Sequence, residues 1–145
     1  MIKYLAFVVT VFSFFIQPHS YGQMKSISVN CGKQIKQEFG AGNEKTEIKI
    51  KLNAGDKLSI KVIPTGDYLN IRAEVYDPSK GRIYPDNPSR YTEPMFINHA
   101  RTLEITTGML SATGIYSIML YNNYKVYRKD ARAGEYTFVT TCSSE

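Results

Sequence analysis

The stretch at residues 110–138, LSATGIYSIMLYNNYKVYRKDARAGEYTF, combines four features in a fixed order. It begins with a Thr-Gly-x-Tyr turn that runs from Thr113 to Tyr116 and continues as an alternating strand at residues 115–121. A loop rich in basic residues and tyrosine follows, and a second alternating strand starts at Tyr136. None of these features is a catalytic motif, so the stretch raises the question of what its surface binds.

Alternation of apolar and polar residues also dominates the rest of the chain, and no segment keeps a helical period for three turns. Because successive side chains of a strand point to opposite faces, this pattern predicts an all-β protein. Residues 46–52 (TEIKIKL) and 57–63 (KLSIKVI) are separated by Asn-Ala-Gly-Asp, which predicts a hairpin. Seven or eight short strands joined by turns indicate a sandwich or a small barrel. The other predicted strands are residues 27–31, 35–39, 69–76, 101–106, 115–121 and 136–142, and a long loop is predicted at 84–100.

Residues 1–22 have the three parts of a secretory signal peptide. Lys3 supplies the charged start, residues 4–16 are apolar, and Ser20-Tyr21-Gly22 offers small residues at a cleavage point. The apolar part is shorter than the roughly 20 residues that a membrane-spanning helix needs, so we expect export without a transmembrane anchor. The mature chain, residues 23–145, would then form one domain in the bacterial periplasm or outside the cell.

Cys31 and Cys142 are the two cysteines of the chain and stand near the ends of the mature domain. Export would place them in an oxidising compartment, so we expect a disulfide that joins the first and last strands. Both are in phase with the apolar positions of their predicted strands, which supports that pairing. Closing a loop of about 100 residues adds on the order of 4 to 5 kcal/mol in the chain-entropy model. Two buried free thiols are the alternative.

The residue content gives little support to an enzyme or to a cofactor. His99 is the single histidine of the mature chain, and one histidine does not make a metal site of the usual kind. We therefore expect no catalytic residues, no metal and no cofactor. One hydrolytic alternative stays open, which is a carboxylate pair formed by Glu93 and Glu104. Nucleic acid is not an expected partner, since an exported chain with no dense basic stripe lacks the charge pattern for it.

Two segments resemble the pre-peptidase C-terminal domain, and the resemblance covers nearly all of the mature chain. They are residues 52–62 (LNAGDKLSIKV) and 69–83 (LNIRAEVYDPSKGRI), followed by a Gly-x-Tyr strand and a closing Gly-Glu-Tyr-Thr-Phe. The resemblance implies a jelly-roll-like antiparallel β-sandwich. It does not define the function, because domains of this family act as chaperones or bind glycans or proteins.

A narrower resemblance is to the periplasmic inhibitors of g-type and i-type lysozymes. It rests on Thr113-Gly114-Ile115-Tyr116, on Arg128-Lys129-Asp130-Ala131-Arg132 and on the strand that begins with Tyr136-Thr137. In those inhibitors a Ser-Gly-x-Tyr loop enters the lysozyme cleft and meets the catalytic carboxylate. The resemblance implies that Thr113 supplies the hydroxyl, Gly114 the close approach and Tyr116 the support of the loop. Threonine adds a methyl group to that loop, and an ordinary turn followed by a core tyrosine explains the same residues.

The loop before the last strand is the second predicted contact surface. Tyrosine and arginine are enriched at protein interfaces because each combines contact area with a polar end. A solvated hairpin whose charges prevent edge-to-edge association is the alternative. The predicted partner-binding residues are Tyr124, Tyr127, Arg128, Lys129 and Arg132.

The charge balance separates two hypotheses about the partner. Lys3 leaves with the signal peptide, so the mature chain has 17 basic and 13 acidic residues and a formal net charge of +4. Many lysozymes are basic, so attraction requires local acidic groups, for which Asp86 and Glu93 are candidates. The favoured hypothesis is an inhibitor that occludes the cleft of a g-type or i-type lysozyme. The alternative is a non-catalytic module that binds an anionic glycan or the cell envelope, which suits the charge of +4.

Overall fold

The computed structural model describes residues 24–40, 45–65, 69, 71–85, 102–122 and 134–144. Nine strands and no helix occur in these ranges, so no helix there has the length and apolar character of a membrane span. The strands are β1 (Met24–Val29), β2 (Gln34–Phe39), β3 (Lys45–Leu52), β4 (Lys57–Thr65), β5 (Ile71–Tyr76), β6 (Arg82–Tyr84), β7 (Leu103–Met109), β8 (Gly114–Asn122) and β9 (Gly134–Ser143).

The strands form two sheets that face each other across one core. The first sheet has the order β1-β3-β8-β5-β6 and the second has the order β2-β9-β4-β7. Every described pair is antiparallel except β1 with β3, which run parallel. The predicted antiparallel β-sandwich is therefore confirmed. The additional strand, β6, has three residues and is too short to show an alternating pattern.

The core is built from the inward residues of both sheets, as the alternation predicted. In the first sheet, Ile48, Ile118 and Val75 are completely buried and lie opposite one another in a single cross-strand row. Burying a side chain of this size contributes roughly 1.5 to 3 kcal/mol. In the second sheet, the rings of Phe39 and Tyr136 stack with their centroids 4.9 Å apart. Burial raises the pKa of Tyr136, whose hydroxyl faces Thr46 without a hydrogen bond of normal geometry.

The predicted hairpin of residues 46–52 and 57–63 is wrong. These segments are β3 and β4, which belong to different sheets. The connection between them crosses from one sheet to the other and is closed by Asp56, whose Oδ2 accepts a hydrogen bond from the Asn53 N–H at 2.8 Å. Each sheet buries one face in the same core. The alternation in β3 and β4 is therefore compatible with two arrangements, in which the strands pair as a hairpin or lie in opposite sheets.

The disulfide between Cys31 and Cys142 is present, with a Cα–Cα distance of 5.9 Å. Cys31 lies in the turn after β1 and not in the first strand, since β1 ends at Val29. Gln34 of β2 pairs with Val139 of β9. Extending this register by three residues places the two cysteines opposite each other. The disulfide therefore fastens the β1–β2 turn to β9, a strand of the four-stranded sheet.

Candidate functional site

The predicted inhibitory residues lie where the chain passes from β7 to β8, at one end of the sandwich. The connection comprises residues 110–113, and two other connections contact it or the adjacent Gly114. One is residues 53–56, between β3 and β4, and the other is residues 77–81, between β5 and β6. We call these three connections, together with Gly114, the loop end.

Thr113 is exposed and is held by the connection at residues 53–56. Its Oγ1 accepts a hydrogen bond from the Ala54 N–H at 2.9 Å. Next to it, the Gly55 N–H donates to the Leu110 carbonyl and the Leu110 N–H donates to the Asp56 carbonyl, both at 2.8 Å. A hydroxyl has one donor and two acceptor positions, so the bond to Ala54 leaves the Thr113 proton available for a second partner.

Gly114 is packed against the connection at residues 77–81. A Cβ atom placed on Gly114 would lie 2.6 Å from Cγ and 2.8 Å from Cβ of Pro78, closer than such atoms approach in proteins. That connection is itself closed by Asp77, whose Oδ1 accepts hydrogen bonds from the Ser79 hydroxyl at 2.7 Å and the Gly81 N–H at 2.8 Å. These two bonds lower the pKa of Asp77. The absence of a side chain at Gly114 therefore serves close packing within this chain.

Tyr116 is both a core residue and the support of the preceding loop. Its side chain is 1% exposed, and its hydroxyl donates a hydrogen bond to the Ala112 carbonyl at 2.7 Å. Burial raises the pKa of Tyr116, and the carboxylates of Asp77 and Asp56 act in the same direction. Two acidic groups from different connections are therefore close enough to affect the phenol at the base of the loop.

Two large apolar side chains are exposed beside the loop. Met109, at the end of β7, is 62% exposed, and Ile115, the second residue of β8, is 57% exposed. A depression of about 110 Å³ adjoins Met109, and its volume is much smaller than the roughly 300 to 1,000 Å³ of a ligand pocket. The loop end is therefore suited to contact with a larger partner. The depression is lined by Asp77, Ile83, Thr107, Gly108, Met109, Leu110, Ser111 and Tyr116.

Several predicted residues lie outside the described part of the chain. Glu104 is described and projects from the outer face of β7, where its Oε1 lies 2.8 Å from the Lys61 Nζ. This exposed ion pair does not resemble one half of a hydrolytic carboxylate pair, and its proposed partner Glu93 is outside the described residues. So are His99, Asp86, Tyr124, Tyr127, Arg128, Lys129 and Arg132.

The residues that hold the loop end were missed at the level of sequence. Asn53-Ala54-Gly55-Asp56 and the turn that begins at Asp77 were recognised as turns, but nothing in either turn indicates that it meets Thr113 or Gly114. Ala54 contributes only its backbone N–H, and Pro78 contributes only its surface. Contacts of these kinds leave no signal in the sequence.

No protein-family model matches the chain, and no curated protein sequence matches it significantly. Solved structures do match it. One is Aeromonas hydrophila PliG, a periplasmic lysozyme inhibitor of g-type lysozyme, with a TM-score of 0.55 and 16% identity over 84% of this chain and 99% of that chain. Another is the pre-peptidase C-terminal domain of a collagenase from Bacillus anthracis, with a TM-score of 0.51 and 12% identity over 82% and 97%.

The chain has the pre-peptidase C-terminal fold. A mutant of the Escherichia coli g-type lysozyme inhibitor PliG shares it as well, with a TM-score of 0.50 and 14% identity over 83% of this chain and 100% of that chain. The resemblance inferred from the sequence is confirmed at the level of fold. A fold shared by an inhibitor and by a domain of a collagenase does not by itself define a function, which depends on the residues of the loop end.

Proposed function

We propose that this protein is a lysozyme inhibitor that acts by occlusion. The connection at residues 110–113 and Gly114 would enter the cleft of a g-type or i-type lysozyme and exclude the substrate, without any chemical step. The proposal rests on the observation that Thr113 is exposed on an ordered loop. That loop is held by the connections at residues 53–56 and 77–81 and by the hydroxyl of Tyr116. The fold shared with PliG, a periplasmic inhibitor of g-type lysozyme, supports it.

The hydrogen bonds of Thr113 suit a carboxylate partner. Its Oγ1 accepts from the Ala54 N–H, and this bond leaves the proton of the hydroxyl free for donation. A carboxylate in the lysozyme cleft would accept that proton in a charge-assisted hydrogen bond. The loop needs little further ordering, since Ala54, Pro78 and Tyr116 already hold it, and a pre-ordered loop loses less entropy on binding.

The charges near the loop support attraction to a basic target. The mature chain has a formal charge of +4, which opposes a basic lysozyme at long range. At the loop end, however, Asp56 and Asp77 outnumber Lys80, which leaves a formal charge of −1, and both carboxylates lie near Tyr116. A local acidic region of this kind orients a basic partner at short range.

We further propose that the protein acts in the periplasm, with residues 1–22 as its signal peptide. The disulfide between Cys31 and Cys142 suits an oxidising compartment. PliG of Aeromonas hydrophila is likewise periplasmic.

The test is a titration of the mature protein, with its disulfide intact, against g-type, i-type and c-type lysozymes digesting bacterial cell walls. We expect the wild type to inhibit the g-type or i-type enzyme and Gly114→Arg to abolish that inhibition. Ile63→Arg adds the same charge on the outer face of β4 and serves as the matched control, which should inhibit normally. Failure of the wild type to inhibit any of the three lysozymes would overturn the proposal.

A second pair of variants tests the hydroxyl without inserting a large side chain. Thr113→Ser keeps the hydroxyl and should retain inhibition, whereas Thr113→Ala removes it. The loss of one charge-assisted hydrogen bond predicts an increase of about ten- to a hundredfold in the inhibition constant of Thr113→Ala. Equal inhibition by the two variants would exclude the hydroxyl from the contact.

A further inference from the structure

The outer face of the five-stranded sheet presents a second set of ordered side chains, remote in the sequence from one another. The strand register aligns the outward residues of β5, β8 and β3 in three rows that cross the sheet, and Arg82 of β6 extends the third row. We call these ten residues the sheet face. The rows are Arg72, Tyr121 and Lys45; then Glu74, Met119 and Glu47; then Arg82, Tyr76, Ser117 and Lys49.

Glu74, in the middle row, is satisfied by groups of this same chain. Its Oε2 accepts hydrogen bonds from the Tyr121 hydroxyl at 2.6 Å and the Tyr76 hydroxyl at 2.7 Å. Its Oε1 lies 3.7 Å from Nη1 of Arg82. Burial, which leaves the side chain 21% exposed, would raise the pKa of Glu74, but the two phenols together with Arg82 and Lys45 outweigh burial and lower it.

Glu47, at the other end of the middle row, is satisfied in the same way. It accepts hydrogen bonds from the Ser117 hydroxyl at 2.9 Å and the Ser26 hydroxyl at 3.0 Å, and Lys49 Nζ lies 3.3 Å from its Oε2. Burial opposes ionisation, yet these three groups lower the pKa of Glu47. Both carboxylates therefore stay ionised and have most of their acceptor positions filled from within the chain.

The cations on either side of the middle row give the sheet face a net positive charge. Arg72, Lys45, Arg82 and Lys49 are four cations against two carboxylates, which leaves +2. Outward residues repeat about every 6.7 Å along a strand, so the two cationic rows lie about 13 Å apart. Each cationic row also contains a tyrosine, and Lys45 Nζ lies 5.3 Å from the centre of the Tyr121 ring.

We propose that the sheet face binds an acidic polysaccharide whose chain lies across the strands. Sugar rings pack against aromatic rings through their C–H faces, and the carboxylates of such a polymer pair with lysine and arginine. Each of the two cationic rows of the sheet face contains both kinds of group. The tyrosines are already held by Glu74, so binding needs little side-chain ordering. This surface does not depend on the loop end and differs from it in charge, since Asp56, Asp77 and Lys80 give that end a formal charge of −1.

The experiment measures binding of the mature protein to polygalacturonate by affinity electrophoresis, with methyl-esterified polygalacturonate and neutral dextran as comparison polymers. We expect binding to polygalacturonate alone, weakening as salt is added. Lys45→Gln/Lys49→Gln should weaken it by at least about tenfold, from the contribution of each lysine near an anionic surface. Lys36→Gln/Lys61→Gln removes the same charge from the other sheet and should bind within about twofold of wild type.

No binding by the wild type would overturn this proposal, and so would equal loss in the two double variants or equal binding of the esterified polymer. Binding to vesicles of anionic phospholipid without binding to the polymer would also overturn it, by assigning the face to a membrane. Gly114→Arg should bind the polymer normally, which separates this outcome from the test of inhibition.

Discussion

The loop end and the sheet face use tyrosine in different ways. Tyr116 and Tyr121 lie five residues apart on β8, so their side chains point to opposite faces of the sheet. The hydroxyl of Tyr116 donates to the Ala112 carbonyl and so determines the path of the backbone. The hydroxyl of Tyr121 donates to Glu74 and so determines the position of a charge.

This difference determines how each region responds to substitution. The loop end is held by a buried side chain, by backbone hydrogen bonds and by the contact of Gly114 with Pro78, so changes there alter shape and stability together. The sheet face is held by hydrogen bonds between partly exposed side chains on a sheet whose backbone is paired independently of them. Changes there should alter the charge pattern while the fold remains.

The largest expected effect comes from shortening the two tyrosines. Tyr116→Ala opens a cavity in the core and should lower the free energy of unfolding by about 3 to 5 kcal/mol. Tyr121→Ala should cost roughly 1 kcal/mol, mainly through the lost hydrogen bond to Glu74. Urea unfolding of both variants with the disulfide intact measures the difference. Equal losses would show that the two regions are held in the same way.

The contact between Gly114 and Pro78 should give the next largest effect. Gly114→Ala places a methyl group against the pyrrolidine ring and should cost about 1 to 3 kcal/mol. Pro78→Ala in the same chain removes the obstructing atoms, so the double variant should recover part of that loss. A double-mutant cycle in urea measures the coupling. Additive costs would mean that the strain at Gly114 has another source.

On the sheet face, Glu74→Gln should show a pH-dependent cost. The pKa of Glu74 is lowered from its ordinary value of 4.5, so its charge adds stability above pH 4.5 and that contribution is lost as the pH falls through the lower folded value. We expect a cost of about 1 kcal/mol at pH 7 that shrinks toward pH 3. Urea unfolding at both values measures it, and a cost that grows in acid would contradict the assignment.

The smallest effect is expected at the exposed pair of Lys61 and Glu104, which serves as a baseline for both regions. Glu104→Gln should change the free energy of unfolding by less than about 0.5 kcal/mol, because exposed ion pairs contribute little. It should also leave lysozyme inhibition and polymer binding unchanged. A loss of either activity would extend the contact surface to the outer face of the second sheet.

Particular elements show how far the sequence alone leads. The alternation in TEIKIKL and KLSIKVI identified the buried residues of β3 and β4 correctly, yet the hairpin inferred from their short connection is wrong. Both cysteines were paired correctly, because the chain has two, although Cys31 lies in a turn and not in the first strand. The position of Thr113 before a strand was predictable, whereas the support of its hydroxyl by Ala54 was not.

The sequence alone was enough to identify the buried side chains, because the two-residue period of a strand is local and does not depend on neighbouring strands. It also determined the chemistry available at the turn of Thr113 and Gly114. The tertiary structure, and not the sequence, assigns each strand to its sheet, since both sheets face one core and bury the same pattern. It likewise decided that three distant turns meet at the loop end and that two cationic rows flank Glu74 and Glu47, because such contacts depend on register between strands far apart in the chain.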